Sequence, residues 1–286
     1  MKKKSFESFM KLVFILSAMS SILAVILICI FIFSEGFPFI REYGYKNFLL
    51  GTQWKPSNTP SSYGILPMIL GSLYITMGAI IVGVPIGILT ATYLAKFSDK
   101  RLYKFLKPCI NLMAGIPSII YGFFALTLMV PLIRTIFGGT GMNIITASIL
   151  LGVMILPTII GISESSINAV PSSYYEGSIA LGATHERSVM AVILPTAKSG
   201  IISSIILGIG RAIGETMAVI LVTGNQPRMP SGVTNGVRTL TTNIVMEMAY
   251  ATDTHREALI ATSLVLFVFI LMINGTFLIV KRRALK

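Results

Sequence analysis

Arg211 and Glu215 are ionisable residues four apart in an apolar stretch, residues 201–223, where ionisable residues are scarce. On an uninterrupted helix that spacing places both side chains on one face, one turn apart. A guanidinium stays charged at every relevant pH and donates two parallel hydrogen bonds from a planar fork, which suits an oxyanion. A charge at the centre of a membrane helix costs about 2.5–3.5 kcal/mol on insertion scales, so it should face a polar cavity or a partner. Ser204, Gly208, Arg211, Glu215 and Ala218 recur at helical spacing as a small, polar stripe, with Thr216 beside it. That stripe is the expected lining of a passage; a purely structural Arg211–Glu215 ion pair is the competing reading. Arg134, after Val130-Pro131-Leu132-Ile133, would recruit anions at the outer end of a span or simply snorkel to the interface. Asn225, after Gly224, would bind ligand or, more simply, cap its helix.

Such a stripe needs a bilayer around it, and the composition supplies one. The chain has 286 residues, 54% hydrophobic and 12% charged, with a mean hydropathy of +0.82. A span needs about 20 mostly apolar residues, and six stretches qualify: residues 12–33, 65–95, 109–133, 143–163, 201–223 and 258–280. The expected fold is therefore an all-α integral membrane protein of six transmembrane helices in one domain. Lys2, Lys3, Lys4 and Lys11 before the first stretch imitate a signal peptide. The apolar run is too long for that, and Ser34-Glu35-Gly36 is a poor cleavage site, so a retained span is expected.

The net charge of +12 does not point to nucleic acid, because the basic residues flank the apolar runs. Of the 23 Lys and Arg, 15 lie at the amino terminus, in the loops 96–107 and 164–200, and at the carboxyl terminus. Arg41, Lys46, Lys55, Arg134, Arg228, Arg238 and Arg256 lie on the opposite side, which predicts both termini to be cytoplasmic. Cys29 and Cys109 suggest neither a disulfide nor a zinc site. Pro67, Pro85, Pro117, Pro157 and Pro195, with Gly83-x-x-x-Gly87 and Gly210-x-x-x-Gly214, predict kinked helices in close approach.

The connection 164–200 is too long to be only a connection. Ser172 or Ser173 would cap a helix after Pro171, Glu176 would fall in its first turn, and Gly182 would end it. A second helix should run from His185 to near Pro195. A short protruding helix presenting Ala180, Leu181 and Gly182 makes a knob for a groove in a soluble partner; an interfacial helix without a partner is the plainer alternative. Glu176-Gly177-Ser178, three residues, Gly182, nine residues and Val192-Ile193-Leu194-Pro195 resemble the EAA loop of ABC importer permeases. That family reads Glu-Ala-Ala, three residues, Gly, nine residues, Ile-x-Leu-Pro, so the spacing matches while Gly177, Ser178 and Val192 differ. Gly177 weakens the helix by about 1 kcal/mol relative to alanine. The resemblance implies that Glu176, Gly177, Ser178, Ala180, Leu181 and Gly182 dock on a separate ATPase.

The chain carries no phosphate-binding loop of its own. Gly138-Gly139-Thr140-Gly141 lacks the lysine, and the glycines from Gly208 to Gly214 have the wrong spacing for a dinucleotide site. His185 and His255 fall in different loops without a catalytic or metal-binding motif around them, so neither an enzyme nor a metal site is expected.

Longer stretches narrow the resemblance. Phe48-Leu49-Leu50-Gly51-Thr52-Gln53-Trp54-Lys55-Pro56, Tyr63 through Leu73, Gly115 through Phe124 and above all Gly208-Ile209-Gly210-Arg211-Ala212-Ile213-Gly214-Glu215-Thr216-Met217-Ala218 resemble phosphate importer permeases of the PstC type. The resemblance implies the type I ABC importer permease architecture in a bacterial or archaeal plasma (inner) membrane. It also implies a PstA-like permease partner, a PstB-like ATPase dimer that binds the ATP and Mg, and a PstS-like extracytoplasmic binding protein. No cofactor is expected on this chain. Phosphate near neutral pH keeps a proton that a carboxylate at Glu215 can accept as a hydrogen bond, and sulfate does not. The outer segment 34–63, with Trp54, would be a platform for the binding protein or a surface loop with an interfacial tryptophan. A molybdate or sulfate permease shares the loop, and a passive anion channel or carrier would share the spans without needing it.

Overall fold

The computed structural model describes residues 2–284, and apolar helices dominate it. Helix α1 (Lys2–Tyr43) is followed by a short helix α2 (Tyr45–Leu50) and a two-stranded antiparallel hairpin, β1 (Trp54–Lys55) with β2 (Ser62–Tyr63). Then come α3 (Leu66–Phe97), α4 (Lys100–Gly115), α5 (Ser118–Phe137) and α6 (Ile144–Asn168). The chain continues with α7 (Ser172–Ala180), α8 (His185–Thr196), α9 (Lys198–Gly214), α10 (Met217–Val222), α11 (Leu240–Glu247) and α12 (Asp253–Ala284). Among the described residues, five helices are long and apolar enough to span a bilayer, with a sixth if α8 and α9, bent by 68°, count as one broken span.

Local chemistry sets several element starts. Asn143 caps α6 by accepting the Thr146 N–H at 3.0 Å, Thr239 forms a capping box with Thr242 at the start of α11, and Pro67 opens α3. Each of α3, α5 and α8 contains one π-helical turn, Tyr93–Phe97, Ala125–Met129 and Val189–Ile193. The third expected span is shifted: the apolar run from Cys109 is the end of α4, and the chain breaks at Ile116-Pro117 before α5 starts. The Tyr121 hydroxyl closes that break by donating to the Met113 carbonyl at 2.9 Å.

The core has three clusters. Ile75, Ala79, Leu151, Met154, Ile155, Ala218 and Val222 pack at mid-bundle between α3, α6 and α10. Phe39, Phe48, Trp54, Tyr63, Met68, Leu240 and Leu259 form the cluster at the hairpin end. Leu94, Ile110, Ile167 and Ile193 form the third, at the α7 end. Gly83 and Gly87 are close-approach positions as expected, because added Cβ atoms would lie 2.8 Å from the Gly152 carbonyl oxygen and 2.7 Å from Ile159 Cγ2. Gly210 and Gly214 differ: an added Cβ would meet nothing within 4 Å at either, so they serve no contact inside this chain.

Candidate translocation site and coupling helix

The expected continuous helix through residues 201–223 is broken at its polar centre. α9 ends at Gly214; Glu215 is extended (φ −68°, ψ 133°), Thr216 precedes α10, and the helix restarts at Met217. Arg211 and Glu215 therefore do not share a helical face, and none of the three salt bridges among the described residues contains either. Arg211 occupies the last turn of α9, half-buried, with one long contact from Nη1 to Thr158 Oγ1 at 3.4 Å. Glu215 folds forward and accepts the Ala218 N–H at 3.1 Å, so its carboxylate caps α10. The Thr216 hydroxyl donates to the Gly214 carbonyl at 3.2 Å.

Two expected lining residues do other work. Ser204 is fully buried and its hydroxyl meets Ser163 of α6 at 2.7 Å, which removes it from any open face. Gly208 is buried against Ile159 in the same helix contact. Asn225 is a cap: with Gly224 (φ 74°) and Asn225 (φ 51°) both left-handed, its amide donates to the Ile220 carbonyl at 2.7 Å and accepts from Thr223 Oγ1 at 3.0 Å. Arg134 is exposed on the last turn of α5. What remains at the break is Arg211, Glu215 and Thr216, all half-buried.

At the other end, α7 protrudes with no buried residue. Pro171 holds its N-cap position, so neither Ser172 nor Ser173 caps it, and Glu176 lies beyond the first turn. Its end is as expected: Gly182, φ 84°, donates to the Ile179 carbonyl and Ala183 to the Ser178 carbonyl, the paired bonds of a Schellman cap. Leu181 stands 91% exposed at the tip, with Glu176, Gly177, Ala180 and Gly182 exposed around it. Ser178 points inward instead, its hydroxyl 2.9 Å from Ser188 of α8.

His185, in the capped turn after the knob, ties it to the bundle. Thr184 caps α8. Next to it the exposed Glu186 carboxyl is held below its usual range by its own backbone N–H and then by the Thr184 hydroxyl. His185 Nε2 donates to the Lys96 carbonyl at the end of α3 at 3.1 Å, while Nδ1 meets the Tyr175 hydroxyl of α7 at 2.9 Å. Nearby, the buried Glu164 of α6 accepts from Lys107 and, at 2.8 Å, from Tyr103 of α4. Sequence reasoning passed over His185 because it looked for catalysis; its signal was its place in the capped turn after Gly182.

A second cluster was also missed. Trp54 is buried, not interfacial, and its indole N–H donates to Glu247 at 2.8 Å. Arg238 and His255 bind the same carboxylate.

A bundle of apolar helices with a broken polar helix and a protruding capped knob is the architecture of a membrane transport component, a permease. The fold is that of ABC importer permeases: it matches the bacterial alginate ABC transporter in complex with alginate pentasaccharide-bound periplasmic protein, with a TM-score of 0.62 at 18% identity over 94% of each chain. The chain belongs to the binding-protein-dependent transport system inner membrane component family, which matches residues 83–286. It is 36% identical to the probable ABC transporter permease protein YqgH of Bacillus subtilis, over 90% of this chain and 86% of the relative. It is 33% identical to the phosphate transport system permease protein PstC of Haemophilus influenzae, over 95% and 89%. Permeases of this family are transport components of complexes that also contain an ATPase and a binding protein, and are not themselves catalysts.

Proposed function

We propose that this chain is the PstC-type permease subunit of an ATP-driven phosphate importer and forms half of the translocation pathway. The observation that carries the substrate reading is the Arg211 guanidinium: half-buried at a helix break, with no carboxylate partner among the described residues. Its fork is left free to hold an oxyanion briefly. The resemblance to PstC proteins supports phosphate as that oxyanion. Glu215, already accepting one backbone N–H, keeps lone pairs for the proton of a P–OH group. In this reading a PstA-like permease supplies the other half, a PstB-like ATPase dimer binds ATP and Mg and receives the α7 knob, and a PstS-like protein delivers phosphate to the hairpin end. Both termini face the cytoplasm, and the complex sits in the plasma (inner) membrane.

The test is uptake of labelled phosphate, sulfate and molybdate into proteoliposomes holding the four components. Phosphate uptake that requires both ATP and the binding protein, with the other two anions excluded, is expected. Preferred uptake of sulfate or molybdate would overturn the substrate, and uptake without the ATPase would overturn the coupled mechanism. Glu215→Gln should admit sulfate; unchanged selectivity removes Glu215 from anion choice.

A further inference from the structure

Glu247, the last residue of α11, is 6% exposed. Its carboxylate accepts from Trp54 Nε1 at 2.8 Å, from His255 Nε2 at 2.9 Å and from Arg238 Nη1. The three donors come from three separate segments: the hairpin, the loop after α10 and the start of α12. The rings of Trp54, Tyr63 and Tyr250 surround His255 with centroids 6.1, 6.4 and 6.1 Å away. A buried charge cluster is a weak way to gain stability, since apolar residues of similar volume often do as well, but it fixes geometry.

The same short helix is bonded at its other end to the pathway. Thr241 Oγ1 donates to the Glu215 carbonyl at 3.0 Å, and the Leu240 N–H is accepted by Ser72 Oγ of α3 at 3.0 Å. Arg238 joins the two ends, donating through Nε to the Asn225 carbonyl at 3.0 Å and through Nη1 to Asn243 of α11 at 3.0 Å. Glu215 lies two residues before α10 and Asn225 three residues after it. Both flanks of the broken segment are thus tied to α11 and its entry residue, and the far end of α11 is tied to the outer hairpin. α11 has 8 residues, about 12 Å at 1.5 Å per residue, short enough to move as a rigid body.

We propose that Glu247 is a positioning residue and α11 a strut: its carboxylate locks the helix to the Trp54 hairpin, so that displacement of the outer surface by a substrate-loaded binding protein is carried through Thr241 to the Glu215 backbone. The role of the break in transport rests on the function proposed above; the connection rests on the bonds just described.

The test uses the reconstituted four-component complex and two variants, Glu247→Gln, which loosens the outer end, and Thr241→Val, which cuts the link to Glu215 together with the 2.9 Å contact to the Thr239 hydroxyl. Both should lower binding-protein-stimulated ATP hydrolysis and phosphate uptake by about tenfold, within the range usual for coupling between sites. The half-saturating binding-protein concentration and the basal hydrolysis should stay near native. With 5-fluorotryptophan incorporated, the Trp54 fluorine resonance, assigned by its loss in Trp54→Phe, should still shift on docking in Thr241→Val although turnover is lost. Native stimulated turnover in Thr241→Val would overturn the strut. So would a loss confined to the half-saturating concentration, which would make the cluster part of the docking surface only. A native complex that turns over on loaded binding protein yet imports no phosphate leaves the strut standing and overturns the substrate reading instead.

Discussion

Replacing Arg211 separates the two jobs a membrane arginine can do. Inside the chain its guanidinium makes one contact, 3.4 Å to Thr158, beyond the usual 2.7–3.2 Å range. Losing so long a bond costs the fold less than about 1 kcal/mol, while removing the charge relieves an insertion penalty of about 2.5–3.5 kcal/mol. Arg211→Gln should therefore insert and assemble at least as well as the native chain. Transport should move the opposite way. Two charge-assisted bonds to an oxyanion at about 1.5–3 kcal/mol each amount to about 3–6 kcal/mol, at least a hundredfold loss of uptake. Lysine keeps the charge but not the fork, so Arg211→Lys should lose about one such bond, roughly ten- to hundredfold. The assay is ATP-dependent uptake of labelled phosphate at equal complex per liposome, with thermal unfolding measured on the same preparations. A Gln variant that imports within threefold of native, or whose thermal stability falls in step with transport, would refute the reasoning and make Arg211 scaffolding.

Gly177→Ala enters open space and should stabilise α7 by up to about 1 kcal/mol. The readout is slower amide exchange in α7 with uptake unchanged. Gly87→Val pushes a Cβ to 2.7 Å from Ile159 Cγ2 and should cost about 1–3 kcal/mol of overpacking. Gly210→Ala meets nothing within 4 Å and lies inside α9, so it should raise the melting temperature of the isolated chain by a gain of up to about 1 kcal/mol. Tyr103 is held above its usual 10.0 first by its bond to Glu164, then by burial. The stability this contributes is fully present below pH 10.0 and lost as pH rises through the raised value, so Glu164→Gln should shrink the alkaline loss in unfolding scans taken above pH 10.0.

The protruding helix was legible because its signals are local. Pro171, Gly182 and Pro195 each act on the few residues around them; Pro171 itself takes the N-cap position expected of Ser172 or Ser173, which leaves Glu176 beyond the first turn, and Ser178 turns inward through a bond to Ser188. The span limits were legible where apolar runs end at polar caps, as at Asn143, and failed at Pro117, where the apolar end of α4 runs on into α5 without a charged residue. The break at Glu215 could not be read from spacing, since a 3.6-residue period assumes the helix it is used to test. Its causes are the Ala218 N–H bound by the Glu215 side chain and the Thr241 hydroxyl on the Glu215 carbonyl, 26 residues away. The Glu247 cluster lies further out of reach, because Trp54 and Glu247 are 193 residues apart.

The break also explains how two opposite charges can sit four residues apart in a membrane without pairing. On a continuous helix Arg211 and Glu215 would neutralise each other, and the guanidinium would have its best donors occupied. Ending α9 at Gly214 gives each charge a helix terminus instead. Arg211 sits in the last turn of α9, where the unpaired carbonyls favour a cation, and Glu215 accepts an amide from the first turn of α10, where the unpaired N–H groups favour an anion. Each such interaction is worth about 0.3–1 kcal/mol at an exposed terminus and up to about 2 in partly buried geometry. That offsets part of the cost of carrying the charges at membrane depth and leaves the arginine fork open. Any substitution that rejoined α9 and α10 would let the pair close, and would silence Arg211 without altering it.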